Sequence, residues 1–549
     1  MTSRRPTLIL FAIVTVLALW AEVHLALTRP FAGRLGDQEP EAHIMVSELA
    51  MEQTSWRVHH FLPIFTLGAQ YNKDIDDHPG AESADKLGNY YYVSTPPLAF
   101  DLPYLFAKLT GGAPTMFRLR AYNLFLQYTS AAALAWLVFL CGKHSGKDRN
   151  LSFLAALTAA LIYITAPECL HSHTIALWAQ QVICLLLVLQ IIVFLFRPSW
   201  WLLGLMAFVG CLSDWTPYVA NFGMAAIALY SFAKTRDRRN LKIALALVAG
   251  AALAGLVMVL WFHTEYSVAS YLADLKGRHA ARSEGGFALD RFFLPRYLDS
   301  FGFFTVIGLA AVVLRPWKGS LAVGREDQPI LPGAKPFWIA IGVFAIALLE
   351  NEIMKVHALK YSYDRLKGVE LLAIVVAWAA MRSMRSAQVL FASSAAVGLV
   401  SVGLFYIAYE TPRGYSYVPR AQQQAIGEIV LRTAENSPAF VNFDTRGSEV
   451  YYAQRNLVEF DGEASDNTLL DLAKTWCQQH HDASGMVYEL VGGYYTAGPT
   501  AYPRTLRILR VYADQHPVLV GEVKLNETQA DYHPLFDGYS RHLMPVFKK

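Results

Sequence analysis

The sequence predicts a multi-pass α-helical membrane protein that ends in a small α/β domain outside the bilayer. Three observations support this prediction: the 549 residues are 54% hydrophobic and only 17% charged, apolar runs of spanning length recur along the chain, and the composition turns polar near residue 412. So low a charged fraction is unusual for a soluble enzyme of this size. The formal net charge of +3 does not indicate a nucleic-acid partner.

The first apolar run, TLILFAIVTVLALWAEVHLAL at 7–27, follows Arg4 and Arg5. It has no small-residue cleavage site, so we interpret it as an uncleaved helix with a cytoplasmic N-terminus. Further runs bring the expected number of spans to about eleven, and this odd number places the C-terminus outside. These runs lie near residues 118–141, 151–168, 175–196, 200–213, 217–233, 241–262, 298–314, 336–351, 367–381 and 387–408.

Lys and Arg collect in alternate loops between these runs, as the positive-inside rule requires. The loop cations on the expected cytoplasmic side are Lys143, Lys147, Arg149, Arg197, Lys234, Arg236, Arg238, Arg239, Arg315, Lys318, Arg325, Arg382 and Arg385. The chain shows no internal repeat of the kind that many transporters carry.

Two regions outside the bilayer are too long to be connectors. The first is the loop at 28–117, within a transmembrane domain at 1–411. The second is the tail at 412–549, where PAFVNFD, GMVYELV, TLRILRVYA and PVLVGEVKL predict strands, and AQQQAIGEIVLRTAEN and NTLLDLAKTWCQQHH predict helices. We expect the tail to be a soluble extracytoplasmic α/β domain.

Directly after the first span, an acidic cluster holds Asp37, Glu39, Glu41 and His43. One interpretation is a solvated loop start followed by an amphipathic helix. The other is a carboxylate at the membrane surface that acts as general base on a lipid-linked substrate. The following IMVSELAM is typical of a helix lying along the interface.

The stretch NYYYVSTPPLAFDLPYLFAKL at 89–109 looks too broken to cross a bilayer. Pro96 and Pro97 interrupt a helix, and tyrosines favour headgroup depth. We expect this stretch to lie on the membrane, with one apolar face buried, and to form the wall of a cavity.

An acidic cluster after span one, surface helices, and then Y-Y-x-x-x-P-P-L before span two resemble the GT-C superfamily of integral-membrane glycosyltransferases. This superfamily includes the protein O-mannosyltransferases and the aminoarabinose transferases of lipid A. The resemblance covers residues 1–410 and implies a polyprenyl-phosphate or diphosphate sugar donor in a bacterial inner or plasma membrane. It also implies a catalytic acidic residue, for which Asp37 matches best and Glu41 is the alternative.

The resemblance further implies that His43, Tyr91, Tyr92 and Asp101 bind substrate around the cavity. Several members of the superfamily carry a lysine before the two prolines that meets the lipid phosphate. Thr95 occupies this position here, so another residue must supply the contact.

A late loop, ENEIMKVHALKYSYDRLKG at 350–368, carries cations on the side where the positive-inside rule disfavours them. Either these charges pair with nearby Glu350, Glu352 and Asp364, or they form an anion site for the carrier phosphate. The predicted donor phosphate-binding residues are His357, Lys360 and Arg365.

Further candidates lie at two predicted outer turns. Asp214 and Trp215 in CLSDWTPY either bind a sugar or anchor the turn at the interface. His171 and His173 without a third ligand argue against a dedicated metal site, although an assisting divalent cation is left open. The five cysteines show no CxxC spacing and predict neither a metal site nor a disulfide framework.

The sequence therefore predicts transfer of a monosaccharide from a polyprenyl-phosphate carrier to a hydroxyl of a lipid, glycan or protein acceptor, in assembly of the cell envelope. The sequence contains no glycine-rich phosphate loop of the kind that binds nucleotides, so we expect no nucleotide substrate. The alternatives are a transporter or flippase for a lipid-linked sugar, an O-antigen-ligase-like enzyme, and a membrane scaffold. A transporter would show symmetry between halves or charges deep in several spans.

Overall fold

A computed structural model describes the greater part of the chain. The described residues are 4–28, 35–68, 88–174, 177–265, 267–283, 293–313, 336–410, 420–443, 448–459, 466–479, 484–491 and 504–525.

Helices make up the chain as far as residue 410. They are α1 (Arg4–Thr28), α2 (Leu35–Gln53), α3 (Trp56–His59), α4 (Leu98–Leu109), α5 (Met116–His144), α6 (Arg149–Thr165), α7 (Pro167–Thr174), α8 (Ala179–Phe196), α9 (Trp200–Cys211), α10 (Thr216–Thr235), α11 (Arg238–Phe262), α12 (Val268–Ser283), α13 (Phe293–Phe301), α14 (Phe304–Val313), α15 (Pro336–Ala347), α16 (Leu349–Ile353), α17 (Lys355–Lys360), α18 (Leu366–Ala380) and α19 (Met384–Glu410).

Within the described part of the chain, six helical segments are long and apolar enough to cross a membrane: α1, α5, α8, α11, α15 with α16, and α19. Two bent pairs, α6 with α7 at 56° and α13 with α14 at 104°, raise the number to eight if each pair is one span. The protein is an integral membrane protein, as predicted. Every predicted apolar run is largely helical, although the runs at 151–168 and 298–314 each fall on one of the bent pairs, and the number of about eleven spans is not confirmed. The 12 residues of α9, for example, reach only about 18 Å.

The stretch after the two prolines forms a short surface helix. Helix α4 starts directly after Pro97 and has 12 residues, too few to span a bilayer. It buries Phe100 and Ala107 while Leu105 and Leu109 are exposed, so it buries one face as expected.

Helix α2 is buried on more sides than the sequence alone indicates. Ile44, Val46, Ser47, Glu48 and Met51 are all buried, although they lie on more than one face. The physical reason is that other protein segments cover α2, among them helix α21 (Ser448–Ala453) of the C-terminal region.

The C-terminal region is the small α/β fold that the sequence predicts. Its helices and strands are α20 (Arg420–Thr433), β1 (Ala439–Val441), α21 (Ser448–Ala453), β2 (Leu457–Glu459), α22 (Asp466–Gln479), β3 (Gly485–Val491), β4 (Arg504–Val511) and β5 (Val518–Leu525). The sheet order is β2-β1-β3-β4-β5, with β1 parallel to β2 and β3 and with β4 antiparallel to both neighbours. The predicted strands and helices are all present; only the short β2 and α21 were not expected.

Asn456 docks this C-terminal region onto the first loop of the chain. Its side-chain Oδ1 accepts a hydrogen bond from the backbone amide of Leu67 at 2.9 Å, and its backbone amide donates to the Leu67 carbonyl at 3.3 Å. Nearby, Gln53 Nε2 donates to the Gln454 carbonyl at 3.3 Å and Gln53 Oε1 accepts from the Gly68 amide at 3.2 Å. The loop and the tail are therefore joined by one backbone–backbone hydrogen bond and by two that use a side chain.

Replacing Asn456 by alanine is expected to loosen this loop. The Leu67 amide is buried, and a buried donor without an acceptor costs about 1–3 kcal/mol. Hydrogen exchange measured by mass spectrometry should therefore be faster at Leu67 in Asn456→Ala, and unchanged in Asn456→Asp, which keeps an acceptor.

Asn442→Ala is the matched control. Asn442 Oδ1 accepts from the Leu490 amide inside the C-terminal sheet, as Asn456 Oδ1 accepts from the Leu67 amide, and Asn442 Nδ2 also donates to the Leu490 carbonyl. It should speed exchange at Leu490 and leave Leu67 protected. Equal protection of Leu67 in Asn456→Ala and the wild type would contradict the docking role.

Candidate active site

A continuous chain of rings lies at one end of the helix bundle, where α8 and α18 begin. We call it the aromatic cluster; its members are His43, Phe65, Tyr92, Phe100, Trp178, His357, Tyr361 and Tyr363. Ring centroids are 5.2 Å apart for His43 and Tyr92, 6.0 Å for Tyr92 and Trp178, and 6.2 Å for Trp178 and Tyr363. The cluster thus joins the acidic helix α2 to the late loop, which the sequence places more than 300 residues away.

The two predicted tyrosines, Tyr91 and Tyr92, pack in different parts of the structure. An isolated bridge pairs Ile64 with Tyr91, and neighbouring residues on extended chain point to opposite faces. Tyr92 enters the aromatic cluster and stacks on Phe65 at 4.9 Å, whereas Tyr91 packs in a second core together with residues of the C-terminal region. Of the pair, the structure brings only Tyr92 to the candidate site.

Helix α2 carries both candidate bases. Asp37 lies in its first turn, and its side chain lies outside the described part of the structure. Glu41 follows one turn later on the same face. The Glu41 Oε1 atom is 2.8 Å from Arg120 Nη2, and the two side chains are only 1% and 2% exposed. Arg120 also donates to the Thr174 carbonyl at 2.5 Å. Glu41 is therefore engaged in a buried ion pair.

Sequence reasoning missed Arg120, although one signal was present. Arg120 lies within the predicted span at 118–141, and a charged residue inside a span is expected to have a partner in the protein interior.

Asp101 lies beside another buried carboxyl, Glu48 of α2. Burial raises the pKa of both groups well above their usual values, and Asp101 adds to the shift at Glu48. Among the described residues, neither carboxylate oxygen of Glu48 has a hydrogen-bond partner. The structure thus places Asp101 next to Glu48, whereas the preceding Phe100 is the residue of α4 that enters the aromatic cluster.

Arg282 of α12 contacts the segment that directly precedes the two prolines. Its Nη1 donates to the Ser94 carbonyl at 3.0 Å, and its Nη2 donates to Ser94 Oγ at 3.0 Å and Tyr92 Oη at 3.1 Å. This puts a guanidinium group next to Thr95. Burial works against the charge, but Tyr92, Tyr363 and Asp364 keep the pKa of Arg282 above its usual value.

Sequence reasoning missed Arg282 as well. The signal was the one used for the late loop: α12 lies in a predicted outer loop, where the positive-inside rule disfavours cations.

Trp215 donates to the same Ser94 carbonyl through Nε1 at 2.9 Å, so the predicted outer turn contacts the proline segment directly. The neighbouring Asp214 Oδ2 accepts from Gln180 Nε2 at 2.5 Å and from Thr216 Oγ1 at 3.3 Å. Burial, reinforced by the Glu350 carboxylate and opposed by the Lys367 ammonium, raises the pKa of Asp214 to about 7. Asp214 is therefore poised between its neutral and charged forms near neutral pH.

In the late loop, most described charges have protein partners. His357 Nδ1 lies 2.5 Å from Asp364 Oδ2, and Lys367 Nζ lies 2.5 Å from Glu350 Oε2. Burial alone would raise the pKa of Asp364, but the His357 imidazole, with help from nearby cations, holds it below its usual value.

Arg365 is also enclosed. Its Nε donates to Ser300 Oγ at 2.8 Å, its Nη1 donates to the Ala358 carbonyl at 2.7 Å, and its Nη2 is 3.9 Å from Glu168 Oε2. Lys360 ends helix α17, and its side chain lies outside the described part of the structure.

Histidines of α7 line the bundle interior without forming a metal site. His171 Nδ1 is 2.5 Å from Tyr409 Oη, and His173 Nε2 is 3.1 Å from Tyr163 Oη. In the part of the chain that the structure describes, no three His, Cys, Asp or Glu side chains are grouped to hold a metal ion.

Neither the protein-family models nor the curated proteins include a match to this chain. Solved structures do match. ArnT from Cupriavidus metallidurans bound to undecaprenyl phosphate superposes with a TM-score of 0.56 and 13% identity over 89% of this chain and 94% of that chain. The same protein in the apo state gives a TM-score of 0.50 and 13% identity over 86% and 92% of the two chains. The Archaeoglobus fulgidus oligosaccharyltransferase tethered with an acceptor peptide gives 0.49 and 11% identity over 88% of this chain and 69% of that chain.

The similarity to ArnT extends over nearly the whole of both chains, through the membrane helices and the C-terminal region. The chain therefore shares the fold of ArnT.

Proposed function

We propose that the protein is an integral-membrane glycosyltransferase that moves a monosaccharide from a polyprenyl-phosphate carrier to an acceptor hydroxyl. Residues 1–411 form the membrane enzyme, and residues 412–549 form an extracytoplasmic domain. One observation carries the proposal: the aromatic cluster connects the acidic helix α2 with a partly buried guanidinium, that of Arg282, at the same end of the bundle. Crystallisation of ArnT with undecaprenyl phosphate agrees with this choice of carrier.

The reaction needs a base and a stabilised leaving group. Asp37 takes the proton from the acceptor hydroxyl, the resulting oxygen attacks the anomeric carbon, and the bond to the carrier phosphate breaks with inversion. We favour Asp37 over Glu41 because the Glu41 carboxylate is already bound by Arg120. The flat rings of the aromatic cluster suit the faces of a sugar.

For the carrier phosphate, we propose Arg282 as the first contact and Lys360 as the second. Arg282 contacts the aromatic cluster, because its Nη2 donates a hydrogen bond to Tyr92 Oη. A guanidinium binds phosphate oxygens through paired hydrogen bonds. Arg365 and His357, which are engaged with Ser300 and Asp364, position the late loop. No metal is required in this scheme, and an assisting divalent cation stays open to test.

Replacing Asp37 by asparagine keeps the size of the side chain and removes the base, so turnover should fall about 10²- to 10⁴-fold. The measurement is transfer of labelled sugar from a polyprenyl phosphate in proteoliposomes.

Glu41→Gln should instead lower the thermal unfolding temperature, because Arg120 would lose its partner at a cost of about 3–5 kcal/mol. Full transfer activity in both variants would overturn the mechanism and favour the transporter alternative.

Arg282→Gln should lower kcat/KM for the donor about 10- to 100-fold, as expected for the loss of charge-assisted hydrogen bonds. Lys276→Gln is the matched control, because Lys276 is an exposed cation on the same helix. Unchanged donor kinetics in Arg282→Gln would remove Arg282 from the site and return the phosphate to the late loop.

The orientation of the chain is tested by reporter fusions. An enzyme that is active only outside the cytoplasm should be active when fused after Lys549 and silent when inserted at 234–240, a loop rich in cations. The reverse pattern would move the aromatic cluster to the cytoplasmic face and refute a donor site on the outer leaflet.

A further inference from the structure

A cavity of about 380 Å³ lies at the other end of the bundle from the aromatic cluster. Helix α18 begins next to the cluster at Leu366 and ends at Ala380 after 15 residues, which is about 22 Å of helix. The cavity opens there, at the turn that joins α18 to α19. The residues that line it are Ala310, Ala311, Ala379, Arg382, Ser383, Arg385, Ser386, Val389 and Leu390.

One side of this cavity is apolar. Small side chains, Ala310 and Ala311 of α14 and Ala379 of α18, leave space between the helices, and Val389 of α19 also lines the space. Val389 is 56% exposed and Val313, at the end of α14, is 78% exposed. The apolar side of the cavity therefore lies at the outer surface of the helix bundle.

The mouth of the cavity is cationic. Arg382 and Arg385 flank Ser383, which caps the start of α19 by accepting from the Ser386 amide at 3.1 Å. Among the described lining residues there is no carboxylate, and the sequence contains no Asp or Glu from 371 to 409. Two guanidinium groups at a helix start, with no acidic lining residue, favour an anion.

We propose that this cavity binds an anionic phospholipid, with its headgroup phosphate at Arg382 and Arg385 and an acyl chain along the alanine wall. A phosphate alone would use only the mouth, and a hydrocarbon alone would use only the wall. A phospholipid uses both, and basic pockets between transmembrane helices are known to take anionic headgroups. The site is independent of the glycosyl-transfer proposal, and its test uses no activity measurement.

Native mass spectrometry of the full-length protein, taken from an equal mixture of phosphatidylglycerol and phosphatidylethanolamine, tests the proposal. The wild type should retain phosphatidylglycerol in preference. In Arg382→Gln with Arg385→Gln, the ratio of the two retained lipids should fall about 25-fold, roughly fivefold for each arginine. Both arginines are exposed, so this variant should fold normally.

Two further variants separate a built site from surface charge. Arg149→Gln removes an exposed cation at the same end of the bundle, where Gly142 lies against Met381, and it should leave the ratio unchanged. Ala310→Phe fills the apolar part, keeps both arginines, and should reduce retention of phosphatidylglycerol.

The proposal is overturned by an unchanged ratio in the double variant, by an equal fall in Arg149→Gln, or by full retention in a folded Ala310→Phe. Displacement of the lipid by millimolar inorganic phosphate would assign the mouth to free phosphate and would also overturn it.

Discussion

The carbonyl of Ser94 accepts hydrogen bonds from two distant parts of the chain and so fixes the arrangement of the candidate site. The two prolines that follow Thr95 keep this segment out of a regular helix, so its carbonyl has no helical partner. Arg282 and Trp215 both donate to it, at 3.0 and 2.9 Å. These two residues are 188 and 121 positions further along the chain. A single acceptor thus fixes the proline segment against α12 and the turn before α10, and it sets where Tyr92 lies in the aromatic cluster.

Buried charges around the site follow one physical rule, that an ion in a dry interior needs a partner. Glu41 has Arg120, Glu350 has Lys367, and Asp364 has His357. Lys367 and His357 of the late loop therefore pair with carboxylates of the same loop. For this reason we assign the carrier phosphate first to Arg282. Removing one member of such a pair costs more than the pair contributes, so variants at these positions report on stability before they report on catalysis.

Local pattern was enough to predict the membrane helices, the surface position of α4, and most strands of the C-terminal sheet. It could not fix the number of spans, because hydropathy does not distinguish a helix in contact with lipid from one buried in the protein. It also could not show that other protein segments cover α2, since one of these segments follows about 400 residues later, as the Gln53–Gln454 bond illustrates with a separation of 401. Of the predicted side chains, His43 and Tyr92 lie in the aromatic cluster and Asp214 lies beside Gln180. Arg120, Arg282 and Asn456 are placed by contacts that only the folded chain brings about.

The contact between Asn456 and Leu67 has a consequence for the order of assembly. The two residues are separated by 389 positions, so the loop that carries Phe65 and Tyr92 is synthesised well before its partner. During that interval the buried amide of Leu67 has no acceptor from the tail, and the segment next to the aromatic cluster lacks one of its supports. A nascent or truncated chain that ends before residue 456 would therefore lack the contact that holds this loop against the C-terminal region.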